Sequence, residues 1–334
     1  MKYIENHSTD PHYNLAFEEY VFKNLPLEEG GYVLLWRNGP SIIIGKNQNS
    51  IEEINMEFVK ENNIHVVRRV TGGGAVYHDL QNVNFSFITK AEELGEIDFK
   101  TYTIPVLRAL ESLGIPCELS GRNDITIDGK KFSGIAQSVV KGRVLNHGTL
   151  LFNSELEVLS KALNVKRDKI ESKGVKSVAS RVTNIKPYLK EDVDVLEFRD
   201  LILDNIFKFL NLPIEKYELT EEDKNAIQKM VDERYGTWDW NFGKSPKFNY
   251  KGYQRFAGGG VEVRLQVEKG LIEECKIYGD FFGKGDIAVL EEKLKGIKYN
   301  EEAVEEALKD IAVGDYLGRI TKEEFFLCLF NLID

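Results

Sequence analysis

Three consecutive glycines, Gly72, Gly73 and Gly74, stand between two stretches that read as β-strands. Val66-Val67 lies on one side and the polar/apolar alternation Asn82-Val83-Asn84-Phe85-Ser86-Phe87 on the other. A glycine run at a strand edge, and not in front of a helix, excludes the usual βαβ dinucleotide-binding arrangement. Residues without Cβ let backbone N–H groups approach an anion and let the chain reach φ > 0, as a loop cradling phosphate or carboxylate requires. Arg68 and Arg69 just upstream add charge for the same task. The same residues also read as a glycine β-bulge beside two surface arginines.

The remaining pattern places this run in a mixed architecture. Asp10-Pro11 predicts a capped helix start, followed by Leu15, Ala16, Tyr20 and Val21 at helical spacing. Tyr32–Arg37 and Ser41–Gly45 flank Asn38-Gly39-Pro40 and predict a core hairpin. Phe99 to Leu113 predicts a further helix, and His147-Gly148-Thr149-Leu150-Leu151-Phe152 a strand with the histidine at its start. Strands and helices intersperse without a strict βαβ repeat, so the fold class is α+β, a mixed, largely antiparallel sheet with packed helices. A boundary falls after Trp238-Asp239-Trp240-Asn241-Phe242-Gly243, giving residues 1–243 and a small α+β unit at 247–334. In that unit Val261–Val267 and Leu271–Tyr278 predict a hairpin, Asn300 caps a helix, and Gly258-Gly259-Gly260 reads as a structural bulge.

Composition narrows the function classes. The chain has 334 residues and a formal net charge of -10, so its overall field attracts neither nucleic acid nor an anionic membrane, and any anion site is local. Cys117, Cys275 and Cys328 are far apart and lack metal-ligand spacing. With no apolar signal core at the start and no membrane-length apolar run, the expected location is the cytoplasm.

Asn123 to Gly134 has a hairpin pattern centred on Asp128-Gly129. A two-residue loop pairs Ile127 with Lys130, Thr126 with Lys131, Ile125 with Phe132 and Asp124 with Ser133. Asp124, Thr126, Lys131 and Ser133 then share a polar face, and Lys130 points away. A carboxylate for a metal and an ammonium for a phosphate or carboxylate suit phosphoryl chemistry. A three-residue loop reverses the two lysines, and a solvated hairpin without function is the other reading. Lys173 to Asn184, small and basic, reads either as a loop that orders over an anion or as a surface linker.

Residues 68–79, 121–124, 128–134, 147–153 and 173–184, taken in order, closely resemble the lipoate–protein ligase A family. The resemblance continues through W-D-W-N-F-G at 238–243 and V-E-K-G at 267–270. It implies the catalytic fold shared by biotin and lipoate ligases, with a small accessory domain. It also implies a reaction in which lipoate and ATP give lipoyl-AMP, with Mg²⁺ assisting, before the acyl group passes to a lysine of a lipoyl domain. Dehydrogenase E2 subunits and the glycine-cleavage H protein are the implied acceptors.

By the same resemblance Lys131 is the catalytic lysine and Asp124 the metal-binding aspartate, with Asn123 contacting nucleotide. Arg69, Thr71 and Gly72 to Gly74 edge the adenylate and lipoyl site, and Val76, Tyr77 and His78 contact the nucleotide. Ser180 and Arg181 lie in the adenylate-covering loop, while Leu15, Trp36 and His147 shape the lipoyl tunnel. Thr71 replaces the family's usual serine and keeps the hydroxyl. No cysteine falls in a motif, unlike the nucleophile of the superfamily's acyl transferases. The alternatives are an octanoate or lipoate transferase of the same superfamily and a non-catalytic lipoate-binding protein.

Overall fold

An eight-stranded sheet carries the elements singled out above. Its strands run in the order β11 (Glu215–Lys216), β1 (Lys2–Glu5), β2 (Tyr32–Trp36), β6 (Asn82–Lys90), β10 (Arg143–Leu151), β9 (Lys130–Val140), β8 (Asp124–Ile127) and β7 (Glu118–Ser120). The β11–β1 and β1–β2 pairs are parallel and the others antiparallel, which is the mixed sheet expected. A smaller sheet holds β3 (Ser41–Ile44) between β4 (His65–Arg68) and β5 (Val76–His78). The computed structural model describes residues 1–27, 30–91, 99–100, 102–121, 123–163, 182–242, 250–268 and 270–330. By contacts the chain divides into one unit of Met1–Ile44, Ile51–Arg69 and Val76–Asn241, and a second of Gly45–Ser50, Val70–Ala75 and Phe242–Asp334.

Alternation along the strands gives the large sheet two faces of different chemistry. Val33, Leu35, Phe85, Phe87 and Leu150 pack with Val106, Leu110, Phe198, Ile202 and Ile206 from the helices Ile104–Ser112 and Val195–Leu210. That side is an ordinary hydrophobic core. The opposite face meets helix α1 (Pro11–Lys23), which starts where expected, with the Asp10 side chain accepting from His12 N.

Four expectations are corrected. Residues 32–45 do not form a hairpin, because β1 and β6 occupy both edges of β2 while β3 pairs with β4 and β5. Asn38, read as a turn residue, is instead buried and hydrogen-bonded to Asn14 and His78. The helix expected from Phe99 begins at Ile104, since Pro105 lacks an N–H and fits only the first turn. His147 lies in the middle of β10 and not at its start. The fourth concerns the 123–134 hairpin. Asp128 and Gly129 both have positive φ and make the two-residue loop, so Lys130 and Lys131 fall as expected opposite Ile127 and Thr126. Beyond them the register shifts, and Ile125 faces Ser133 while Asp124 faces Gly134. Phe132 is the extra residue of a β-bulge.

In the second unit β12 (Tyr250–Phe256), β13 (Gly259–Glu268) and β14 (Leu271–Gly279) form an antiparallel sheet. The β13–β14 hairpin and the Asn300 cap are as expected. Val263, Leu265, Ile277, Phe325 and Leu329 are among its core residues. The Gly258–Gly260 triplet lies at the turn joining β12 to β13, and the bulge of this sheet is at Gln266/Val267. Among the described residues no helix is long and apolar enough to cross a membrane.

The core face makes a test of the packing available at Gly148, which lies opposite Phe85. A Cβ there would come 2.5 Å from Phe85 Cζ. Gly148→Ala is expected to destabilise the chain by about 1–3 kcal/mol through overpacking, read as a lowered urea midpoint; an unchanged midpoint would show that the ring can yield.

Candidate active site

The bulge at Phe132 decides what the hairpin can do. Without it, Lys131 and Ser133 would share a face and Gly134 would oppose them; with it, Phe132 and Ile135 enter the core while Lys131 and Gly134 face the other side. Lys131 Nζ lies 2.8 Å from Asp124 Oδ1. The ammonium reaches that position across Gly134, where a Cβ would stand 2.8 Å from Nζ. Ser133, expected beside Lys131, is buried opposite Ile125, and its hydroxyl has no partner among the described residues. Lys130 is exposed. Asn123 donates its side-chain amide to Ile135 O (2.6 Å) and accepts Ile135 N at its own carbonyl, fastening the strand beside Asp124.

Strand register extends this face across the sheet. Gly134 alternates with Ala136, which pairs with His147; His147 pairs with Ser86, and Ser86 with Leu34, two residues from Trp36. Trp36, Ser86, His147, Asp124 and Lys131 therefore share one face. Glu18 of α1, one turn from the buried Leu15, reaches the same network. Trp36 Nε1 donates to Ser86 Oγ (3.0 Å), Ser86 donates to Glu18, and His147 Nδ1 lies 2.8 and 2.9 Å from the two Glu18 oxygens. Since the Ser86 proton goes to the carboxylate, the chain has one polarity and Glu18 ends it as acceptor.

Arg69 and His78 approach from the smaller sheet. Arg69 donates to Ile43 O (3.1 Å); burial, partly opposed by the Glu18 charge, pushes its guanidinium down to about 10. His78 stands edge-on to Trp36 with ring centroids 6.3 Å apart. Asn38 Nδ2 faces its Nδ1 at 3.1 Å, which leaves the proton on Nε2, a buried group with no partner among the described residues. Asn82 Oδ1 and Asn84 Nδ2 are likewise buried and unmatched. Such atoms are what a site retains for a polar ligand or ordered water. Tyr77, next to His78 in β5, is buried, which raises its phenol to about 12, and Val76 is half-buried.

Thr71 and the glycine run fall in the second unit. There Lys46 N donates to Thr71 O, and each glycine has its own reason: Gly72 approaches Phe281 O, Gly73 has φ +93°, and Gly74 has open space where a Cβ would be. Ser180 and Arg181 lie outside the described residues, as does most of 173–184. The end of that segment is placed: Thr183 N donates to Lys131 O, and Asn184 exchanges two hydrogen bonds with the Ser154 backbone. Among the described residues no group of three or more His, Cys, Asp or Glu could hold a metal. Glu18 and Ser86 were not singled out from sequence. The signal was present in Asn82-Val83-Asn84-Phe85-Ser86, whose polar positions are as buried as its apolar ones.

Comparison with known proteins gives the class first. Residues 10–207 match the profile of the lipoyl protein ligase A/B catalytic domain and residues 245–329 that of the bacterial lipoate protein ligase C-terminus. The chain belongs to the lipoate–protein ligase family. It is 50% identical to the lipoate-protein ligase LplJ of Bacillus subtilis, covering 97% of this chain and 98% of the relative, and 47% identical to lipoate–protein ligase 1 of Staphylococcus aureus, covering 97% and 98%. Among solved structures, Plasmodium falciparum LipL1 in complex with lipoate superposes with TM-score 0.74 at 29% identity, covering 93% of this chain and 94% of that one. A lipoate-protein ligase A bound with ATP gives 0.63 at 26%, covering 72% and 98%.

Burial, with the Arg69 and His147 charges adding to it, pushes the His78 imidazole from 6.5 down to about 3. The unfolded chain then binds the extra proton between those values, so stability falls as pH drops through that window. His78→Gln is expected to abolish about 2 kcal/mol of the stability lost between about pH 7.5 and 5, measured by urea unfolding; identical pH dependence in both proteins would exclude the buried neutral imidazole.

Proposed function

We propose that this ligase works in two steps through an acyl adenylate. A carboxylate oxygen of lipoate attacks the α-phosphorus of ATP, forming lipoyl-AMP and releasing pyrophosphate. The amine of an acceptor lysine then attacks the acyl carbon, and AMP leaves with the electron pair of the broken C–O bond. Supporting this are the solved relatives described in complex with lipoate or bound with ATP, and one observation in this chain: a lysine–aspartate pair at 2.8 Å shares a sheet face with the buried polar side chains of Ser86 and His147.

Lys131 holds the acid carboxylate and the α-phosphate together and offsets the charge that develops in each step. Leu15, Trp36, Ser86, Glu18 and His147 enclose the acyl chain, and Arg69 presents a buried cation to the carboxylate and adenylate. His78 Nε2–H and the Val76–Tyr77 segment serve the nucleotide side. One carboxylate fits Mg²⁺, which keeps several waters and takes its other ligands from substrate phosphates, and Asp124 is the residue that would hold it. When bound, Mg²⁺ neutralises phosphate charge.

Direct transfer from the adenylate is favoured over an acyl-thioester by the state of the thiols. Burial pushes Cys117 up to about 11 and Cys328 up to about 12, and raises Cys275 as well, so all three stay protonated at neutral pH. Lipoyl domains are the proposed acceptors; a Thermoplasma acidophilum lipoate protein ligase, 29% identical and with TM-score 0.65, is described together with its E2 lipoyl domain.

The test is lipoate-dependent exchange of labelled pyrophosphate into ATP. Lys131→Ala is expected to lose at least about 100-fold, and Lys130→Ala to match wild type. Near-normal exchange in Lys131→Ala would overturn the assignment, and no exchange in wild type would overturn the adenylate route.

A further inference from the structure

Trp240 and Asn241, read from sequence only as part of a boundary marker, belong to the first unit and turn back onto its strand β4. Among the described residues strand β4 is the edge of its sheet, and the Arg68 N–H and C=O are taken up by side chains. Asn241 Oδ1 accepts the Arg68 N–H at 2.9 Å, and Trp240 Nε1 donates to Arg68 O at 2.9 Å. The Arg68 guanidinium returns two bonds, Nε to Trp240 O (3.0 Å) and Nη2 to Asn241 O (3.2 Å). Two side chains thus replace a missing strand at the residue immediately before Arg69.

The clamp is itself braced. Asn241 is buried and donates to Tyr235 O and Thr237 O. Arg234 places its guanidinium carbon 3.7 Å from the Trp240 ring centre and pairs with Glu19 at 3.0 Å, and Tyr235 OH also donates to Glu19. Glu19 neighbours Glu18 on α1, and the Glu18 charge acts on Arg69. From Arg69 the circuit runs back through Arg68, Trp240 and Arg234 to α1, whose Glu18 charge acts on the same guanidinium.

We propose that Trp240 and Asn241 are positioning residues that hold the Arg68–Arg69 peptide, and through it the buried Arg69 guanidinium, at the place where the substrate carboxylate binds. The proposal rests on the role given to Arg69 above. A displaced guanidinium weakens the ground-state grip on the acid more than it slows exchange at saturation, so the effect belongs in KM.

Trp240→Phe removes the indole donor and keeps a ring beneath Arg234. In the full chain it is expected to raise KM for lipoate in pyrophosphate exchange about tenfold, with kcat within about twofold. Trp238→Phe, at a residue 54% exposed, is the control and should match wild type. In an Arg69→Met background, Trp240→Phe is expected to change KM by less than about twofold, because its route of action is already gone. The Arg69 amide, bonded to Ile44 O, should also exchange its hydrogen about tenfold faster in Trp240→Phe, a readout that does not depend on Arg69→Met folding. An equal KM increase in both backgrounds, or an unchanged amide exchange rate, overturns the positioning role. Wild type without lipoate-dependent exchange overturns the reading of the site and this inference with it; active wild type with an indifferent Trp240→Phe overturns the inference alone.

Discussion

Two adjacent glutamates on α1, Glu18 and Glu19, are each 1% exposed, and much of the first unit is arranged around satisfying them. A carboxylate taken out of water costs several kcal/mol unless charges and hydrogen bonds replace the solvent. About 100° of helical turn separates the two, so they face different partners. Glu18 takes Ser86 and His147 from the sheet and lies in the field of Arg69. Glu19 takes Lys23, Arg234 and Tyr235. For Glu19 burial raises the carboxyl, but Arg234, Lys23 and Tyr235 outweigh it, and the net shift is downward. The helix thereby links the buried polar face of the sheet on one side to the segment that clamps Arg68 on the other.

The large sheet accommodates this by giving its two faces different work. One is filled by Phe85, Phe87, Phe132 and their helical partners, and the other carries polar groups that are equally buried. Gly148 and Gly134 mark the division, the first making room for the Phe85 ring and the second for the Lys131 ammonium. The bulge at Phe132 lets one strand serve both, sending an aromatic ring to the core while keeping Lys131 on the polar face. Strands carry the buried polar side chains, and the Lys131 ammonium stands on a hairpin held by its own tight turn.

Local chemistry made a good part of this legible. Asp128-Gly129 is a two-residue turn by composition, and that alone separated Lys131 from Lys130. The Asp10 cap, the Asn300 cap and the β13–β14 alternation are equally local signals. What misled were features whose meaning depends on distant partners. Asn38-Gly39-Pro40 has turn composition, yet its asparagine is claimed by Asn14 and His78, and β2 has no free edge to offer β3. The polar half of the β6 alternation would face water in an ordinary sheet and here is sealed beneath α1.

By itself, then, the sequence determined the α+β class, the family, the placing of Lys131 and Lys130 at the two-residue turn, and the absence of a cysteine in any motif, because each is carried by residue types at short, fixed spacing. Only the tertiary structure decided that Ser86 donates to Glu18, that Gly134 faces Asp124, and that Trp240 and Asn241 bond to Arg68. Those pairings join residues up to 173 positions apart, or hang on a one-residue shift of register. Neither leaves a periodic trace along the chain, since such partners are chosen by which buried charge or unpaired strand edge has to be satisfied.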